Sequence, residues 1–505
     1  MTTIRFDTSS VSDYKRFMQV KALPCYSVQG RTASFPEEYA ARLGVKDETV
    51  IRDPSPMPTW MFDYQKAITN IAIQRRKFAL FWECGLGKTA SFLEFAKQAL
   101  DDLTPKNKGV LIVSPLMVIP QTIEECKRFY GDSIDLEQVP SNQVDTWLKS
   151  CGGKIGITNY EAFTNDVDRG RLGGLILDES SLLKSHYGKW ATQLIGLGQG
   201  IDWKLCCTGT PAPNDRIEYA NHALFLDHFP TVNSFLATFF VNRGQTSNRW
   251  ELKPHALKPF YRALSHWSIF LTDPATYGWK DNSETLPPIN VHVESVAMTT
   301  EQRAIARSET GELFSNDLGG IGARTKFSQL GKGYYNGKQI PSNKPRHIID
   351  SIDQWKETES TIVWCLYNKE QDELARIIPD SATITGTTKH ADRMAIVDGF
   401  KSGSIRTIIS KPKILGFGLN LQICTRQVFS GLQDSYELYW QAVKRSNRFG
   451  STKPLNVHIP VCDVEEPMVQ NVLRKAANIE HDTRQQEQIF RSNMWEHPCL
   501  KTKVK

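Results

Sequence analysis

Three short stretches of this sequence hold residue types suited to moving phosphate. The first is WECGLGKT at 82–89. Gly85 and Gly87 let successive backbone N–H groups turn toward a phosphate, Lys88 can reach its terminal oxygens, and the Thr89 hydroxyl suits Mg²⁺. The general phosphate-loop pattern wants a further glycine where Trp82 stands, so this stretch alone leaves nucleotide binding open. The second stretch is LDES at 177–180, where an apolar run ends in two adjacent carboxylates. Asp178 can hold Mg²⁺ through water while Glu179 orients and deprotonates an attacking water. A lysine–threonine loop joined to an acidic strand end makes a nucleoside triphosphatase. The third is QAVKRSNRFG at 441–450, in which Arg445 and Arg448 are three apart, hence on one helical face. Arginine suits a developing phosphoryl charge because its planar fork stays protonated and binds oxygens in pairs.

Such groups need strand ends and helix starts to hold them. KFALFW (77–82), GVLIV (109–113), KIGIT (154–158), GLILD (174–178) and KLCCT (204–208) read as buried parallel strands. TASFLEFAKQAL (89–100) and QTIEECKRFY (121–130) are helix-like segments between some of them. The phosphate loop then follows a strand and opens a helix, whose positive dipole end lies under the phosphates. A second alternating region contains TIVWCLY (361–367), SATIT (381–385), RTIIS (406–410), RQVFS (426–430) and LNVHIP (455–460). Between the two regions, EYANHALFLDHF and KPFYRALSHWSIFL are aromatic and helical in pattern. With Trp250, Trp267 and Trp279 they read as a hydrophobic helical extension that packs, rather than as a surface for stacking bases.

The expected fold is therefore α/β, with two doubly wound parallel-sheet lobes and a helical insertion between them. The expected divisions are an N-terminal accessory segment (1–55), a first lobe (56–215), a helical extension and linker (216–345), a second lobe (346–462) and a charged helical tail (463–505).

Composition bounds the possibilities. A chain of 505 residues is too long for one core, since single cores stop growing at roughly 250–300 residues. A net charge of +6 permits a nucleic-acid partner without arguing for one. The ten cysteines contain no CxxC pair and read as buried thiols in a reducing compartment. The polar start MTTIRFDTSS is unlike a signal peptide, and the longest apolar stretch, at 110–120, is short for a membrane span. The expectation is a cytoplasmic protein.

The remaining motifs resemble a family. CTGTPAPND (207–215) resembles the Thr-Gly-Thr-Pro-x-x-Asn signature of superfamily 2 DNA motors, in the Swi/Snf remodeller-like branch. DESSLLKS (178–185), ECGLGKT (83–89), VSPLMVIPQT (113–122), GFGLNLQ (416–422) and QAVKRSNRFG resemble its other motifs, in the family's order. Trp82, Thr122 and Ser181 depart from the usual residues.

The resemblance implies two RecA-like lobes using ATP and Mg²⁺. It implies catalytic roles for Lys88, Asp178, Glu179, Arg445 and Arg448, with Thr89 and Asp178 at the metal. It places Gln65 at the adenine edge, Gly85, Gly87, Lys88 and Thr89 on the phosphates, and Gly418 and Gln441 beside the nucleotide from the second lobe. Thr208 and Thr210 would couple hydrolysis to grip, and Ser114, Pro115, Thr158, Asn159, Gly386 and Thr387 would line a groove for a sugar–phosphate backbone.

The function implied is an ATP-dependent helicase or translocase on DNA, double-stranded or branched and without sequence preference, of a compact bacterial or viral type. The competing expectation is a nucleotide-gated scaffold that recruits a nuclease or methyltransferase and does no mechanical work, with 1–55 and 463–505 as docking segments.

Overall fold

The computed structural model describes residues 2–7, 9–23, 26–35, 39–40, 43, 56–163, 167–184, 188–244, 250–280, 286–310, 321–355, 359–415, 421–432, 435–448 and 451–494. The chain divides into two units, Met1–Ser283 with Glu480–Lys505, and Glu284–Ile479.

Unit 1 is built on a sheet of seven parallel strands. In chain order they are β1 (Lys77–Trp82), β2 (Gly109–Ser114), β3 (Leu136–Gln138), β4 (Ile155–Asn159), β5 (Leu172–Asp178), β6 (Trp203–Cys207) and β7 (Ser268–Leu271), arranged β7-β1-β6-β5-β2-β4-β3. The apolar runs form strands because both faces are covered. Along β1, Phe78, Leu80 and Trp82 enter one core while Ala79 and Phe81 enter the other, the period-two alternation of a strand. Helices α1 (Asp63–Arg75), α2 (Lys88–Leu103) and α3 (Ile119–Tyr130) belong to this unit.

The segment KPFYRALSHWSIFL is not one helix. It is α4 (Leu257–Trp267) followed at once by β7, whose Ser268–Leu271 pairs in parallel with Ala79–Trp82 of β1. Edge pairing on β1 decides the conformation of an apolar stretch whose local pattern fits helix or strand equally. Trp267 is fully buried and stacks on His228 with centroids 5.5 Å apart, so the aromatic extension packs as a core.

Residues 2–35 hold three antiparallel strands, Thr2–Arg5, Ser27–Gln29 and Thr32–Phe35, and a helix, Val11–Lys21, capped by the Ser10 side chain. Their small core includes Phe6, Val20, Ala33 and Phe35.

Unit 2 has a six-stranded, all-parallel sheet. Its strands are β8 (Ile289–Ser295), β9 (Ser360–Trp364), β10 (Ser381–Thr383), β11 (Thr407–Ser410), β12 (Cys424–Phe429) and β13 (Leu455–Val461), arranged β8-β13-β12-β9-β11-β10. Helix α5 (Tyr436–Val443) precedes β13. The stretch 216–345 is thus shared out, ending in unit 1 at Ser283 and resuming in unit 2 with β8 as an edge strand.

The tail is one long helix, α6 (Glu466–Met494), with its residues to Ile479 in unit 2 and those from Glu480 in unit 1. In unit 1, Asp482 takes a forked ion pair from Arg216, Glu487 accepts from the Thr272 N–H and hydroxyl at 2.7 Å, and Phe490 meets Tyr277 edge-on. Among the described residues the cysteines are free, and all but Cys84 are buried. No helix among them is long and apolar enough to cross a membrane.

Candidate active site

The carboxyl ends of β1, β6, β5 and β2, four neighbouring strands, bring the phosphate-type residues of unit 1 together. Trp82 is the last residue of β1 and fully buried, so it precedes the loop rather than belonging to it. What the loop uses is its carbonyl, which accepts from Lys88 Nζ at 2.9 Å. Gly85 (φ 92°) and Gly87 (φ 74°) lie in the left-handed region that favours glycine. Gly87 also caps α2, and a Cβ there would fall 2.3 Å from Gln65 Nε2. Lys88 and Thr89 then form the first turn of α2, at its positive end.

Gln65 lies directly against this loop. Its Nε2 donates to the Leu86 carbonyl at 3.0 Å, where Tyr64 Oη also donates at 2.9 Å, and its Oε1 accepts from the Phe62 N–H at 3.0 Å. Both ends of the amide assigned to adenine by resemblance are engaged within the chain, so Gln65 braces the loop that carries Gly87.

The two carboxylates are held differently. Asp178 ends β5, is 6% exposed, and accepts from Ser114 Oγ at 2.8 Å. Its backbone carbonyl accepts from the Tyr160 hydroxyl at 2.7 Å. Burial, and then the neighbouring Glu179 charge, push the Asp178 carboxyl up to about 7, against the Ser114 hydrogen bond and Lys88. Glu179 takes φ 51°, a left-handed conformation that costs a non-glycine residue energy and clusters at functional sites. Its Oε2 accepts from Thr208 Oγ1 at 3.3 Å, and Thr208 Oγ1 in turn accepts from the Thr210 N–H at 3.1 Å. Burial works against the Lys88 charge, but Cys84, Glu179, Asp178 and Glu83 together raise its pKa above the ordinary lysine value.

No cluster of three or more His, Cys, Asp or Glu among the described residues is placed to hold a metal. The donors present are the Asp178 carboxylate and the Thr89 hydroxyl. A sparse hard-oxygen set fits Mg²⁺, which keeps its waters and takes phosphate oxygens as further ligands. The buried Thr210 hydroxyl has no partner in the chain, and the Gly87 cradle would not admit a side chain. Both observations fit a magnesium–nucleotide at this place.

The residues expected on the backbone groove divide into two kinds. Ser114 and Thr158 are fully buried, the first bonded to Asp178 and the second with its hydroxyl unpartnered. Asn159 Oδ1 accepts from Ser141 Oγ at 2.9 Å. Pro115 is half-buried, whereas Gly386 and Thr387 are exposed in the loop after β10.

In unit 2, α5 ends at Val443, and Arg445 and Arg448 stand in the turn that follows. They do not share a helical face. The turn is tied down: Gln427 Nε2 donates to the Ala442 carbonyl at 3.0 Å and to Ser446 Oγ at 2.7 Å, and Asn447 Nδ2 donates to the Pro287 carbonyl at 2.7 Å. The Arg448 N–H donates to Ser451 Oγ at 3.2 Å. Gln441, 5% exposed, leaves its Oε1 buried without a partner. Gly418 lies outside the described residues.

Sequence spacing gave no sign of the mutual contacts Ser114–Asp178 and Thr208–Glu179, because each joins residues far apart in the chain. Another pairing, Ser180 Oγ with His222 Nε2 at 3.1 Å, buries a histidine against the residue that follows the carboxylate pair.

Residues 59–340 match the SNF2-related domain family, and residues 343–450 match the helicase conserved C-terminal domain. A fruit-fly (Drosophila melanogaster) protein, the SWI/SNF-related matrix-associated actin-dependent regulator of chromatin subfamily A-like protein 1, is 22% identical over 409 residues. That alignment covers 77% of this chain and 51% of the relative, so the chain spans about half the length of the curated relative it matches. A solved structure, the Sulfolobus solfataricus SWI2/SNF2 ATPase core in complex with dsDNA, has a TM-score of 0.38 at 18% identity, covering 89% of this chain and 98% of that one.

Proposed function

Because the chain belongs to the SNF2-related family, we propose that it is an ATP-dependent motor on duplex or branched DNA, hydrolysing ATP with residues of both units. The observation that carries this reading is the gathering at adjoining strand ends of Lys88 with the hydrogen-bonded pairs Ser114–Asp178 and Thr208–Glu179, whose carboxylates act on the Lys88 charge. Magnesium–ATP supplies the phosphoryl group and its counter-charge. Lys88, strongly cationic, draws electron density from the terminal phosphate; Asp178 and Thr89 hold the cation; Glu179, fixed in its left-handed conformation, orients the attacking water.

The Glu179–Thr208–Thr210 chain reports the state of that water to the loop after β6. On this reading Ser114 acts on the metal ligand rather than on nucleic acid, and the half-buried Pro115 with the exposed Leu116–Met117, Gly386–Thr387 and Lys413 meet the sugar–phosphate backbone. Arg445 and Arg448 complete the site as an arginine finger, a contribution worth about 10³–10⁵ in rate.

The test is the ATPase rate with single-stranded, double-stranded and branched DNA and with RNA, each at two salt concentrations. Severalfold stimulation by duplex or branched DNA that falls steeply with salt is expected. An ATPase indifferent to every nucleic acid contradicts the proposal.

A further inference from the structure

Unit 1 contains a cavity of about 620 Å³ that shares no residue with the phosphate loop. One wall is α4 and the residues just before it, which present His255, Lys258, Arg262 and His266 at spacings of three, four and four, one helical face. The opposite wall is the end of α6, with Gln485, Gln488 and Ser492, again one face. The volume lies within the roughly 300–1,000 Å³ usual for ligand sites.

Several basic side chains of unit 1 have carboxylate partners: Lys77 and Lys204 share Asp227, Arg76 faces Asp102, and Arg216 grips Asp482. Lys258, Arg262 and His255 have no carboxylate partner among the described residues, and no described acidic residue lines the cavity. The acidic residues of α6 nearest this wall are directed elsewhere, Glu480 to Arg484, Asp482 to Arg216 and Glu487 to Thr272. What faces the cations is amide and hydroxyl, groups that donate to an anion without repelling it. From Lys258 to His266 the helix rises ~12 Å, enough to meet several phosphates of a strand that carries one per ~3.4 Å.

We propose that this cavity is a second phosphate-binding site, taking a row of phosphates from a nucleic-acid strand or a free nucleotide. Lys258 and Arg262 neutralise the charge, the imidazoles and Gln485 and Gln488 supply further donors, and the α6 wall sets the width. The site is independent of ATP hydrolysis.

Sodium tripolyphosphate is the probe, titrated by calorimetry into the full chain carrying Lys88→Ala so that the phosphate loop does not contribute. One site is expected. Adding Lys258→Ala with Arg262→Ala should weaken it at least tenfold with an unchanged melting temperature. Gln485→Glu with Gln488→Glu, which places carboxylates on the opposite wall, should weaken it as well. Competition by a single-stranded oligonucleotide or by ADP in the Lys88→Ala chain then identifies the source of the phosphates. No site in the Lys88→Ala chain, or equal binding after either double substitution, overturns the proposal.

Discussion

At the strand ends of unit 1, hydroxyl side chains bond to carboxylates, Ser114 to Asp178 and Thr208 to Glu179, while Lys88 bonds the Trp82 carbonyl. At the turn after α5 in unit 2, side chains bond mostly to backbone, as Gln427 does to Ala442 and Asn447 to Pro287. The first arrangement sets protonation and orientation, since each group changes the charge its neighbour feels. The second fixes the path of a loop, and with it the places from which Arg445 and Arg448 extend. On the proposed function, acid–base chemistry belongs to unit 1 and placement of charge to unit 2.

The contrast is broken most severely by removing charge from unit 1. Lys88→Ala and Asp178→Asn should each lower ATP turnover by at least ~10³-fold, read in a steady-state phosphate-release assay.

Unit 2 should instead fail structurally. Glu465 is buried between Lys332 and Lys344, and Lys344 also donates to the Ser430 carbonyl at 2.8 Å. Replacing one member of such a triad leaves uncompensated buried charge, a loss of about 3–5 kcal/mol. Glu465→Gln should give a separate early transition in calorimetry, with the phosphate-loop unit melting near its original temperature. A single unshifted transition would show that the triad does not brace this unit.

A milder effect follows from Ser114→Ala. Loss of one hydrogen bond to a charged group costs about 1.5–3 kcal/mol. Turnover should fall about tenfold, with duplex-DNA affinity unchanged. Weakened DNA binding at normal turnover would instead place Ser114 in the groove.

A further expected effect is in the pH dependence of stability, and its sign differs between the units. Asp178 is raised to about 7, so without metal the folded chain binds more protons than the unfolded one below that pH, and unit 1 gains stability as pH falls from about 7 toward 4. Burial alone would raise Glu465, but Lys332 and Lys344 outweigh it and hold its pKa below the ordinary 4.5. Its contribution is complete above 4.5 and is lost as pH falls through its lowered value, so unit 2 weakens in acid. Denaturant titrations of the metal-free chain between pH 7 and 3 should show the two trends diverging.

Much of this fold is legible in the sequence because a strand buried on both faces has to be an unbroken apolar run. KFALFW, GLILD and LNVHIP fit that pattern in an α/β chain, and they are β1, β5 and β13. The small antiparallel module of residues 2–35 was invisible for the opposite reason, since TTIR and SVQ are short and polar. SIFL, read as the end of a helix, becomes β7 through pairing with β1, a tertiary effect that local pattern does not contain.

At the site, residue types pointed to the phosphate loop and the acidic pair, which need special backbone or paired charge. Partner choice was not legible. Nothing in FDYQ shows that Gln65 bonds Leu86, and nothing in QAVKRSNR shows that the helix stops at Val443.

The central claim is that unit 1 binds the nucleotide while unit 2 supplies a group needed for hydrolysis. It is tested most directly by measuring ATP binding and single-turnover hydrolysis in the Arg448→Ala chain with saturating duplex DNA. The account predicts ATP affinity within about twofold of the unsubstituted chain and hydrolysis slowed by about 10³-fold or more. Hydrolysis at the original rate would contradict it.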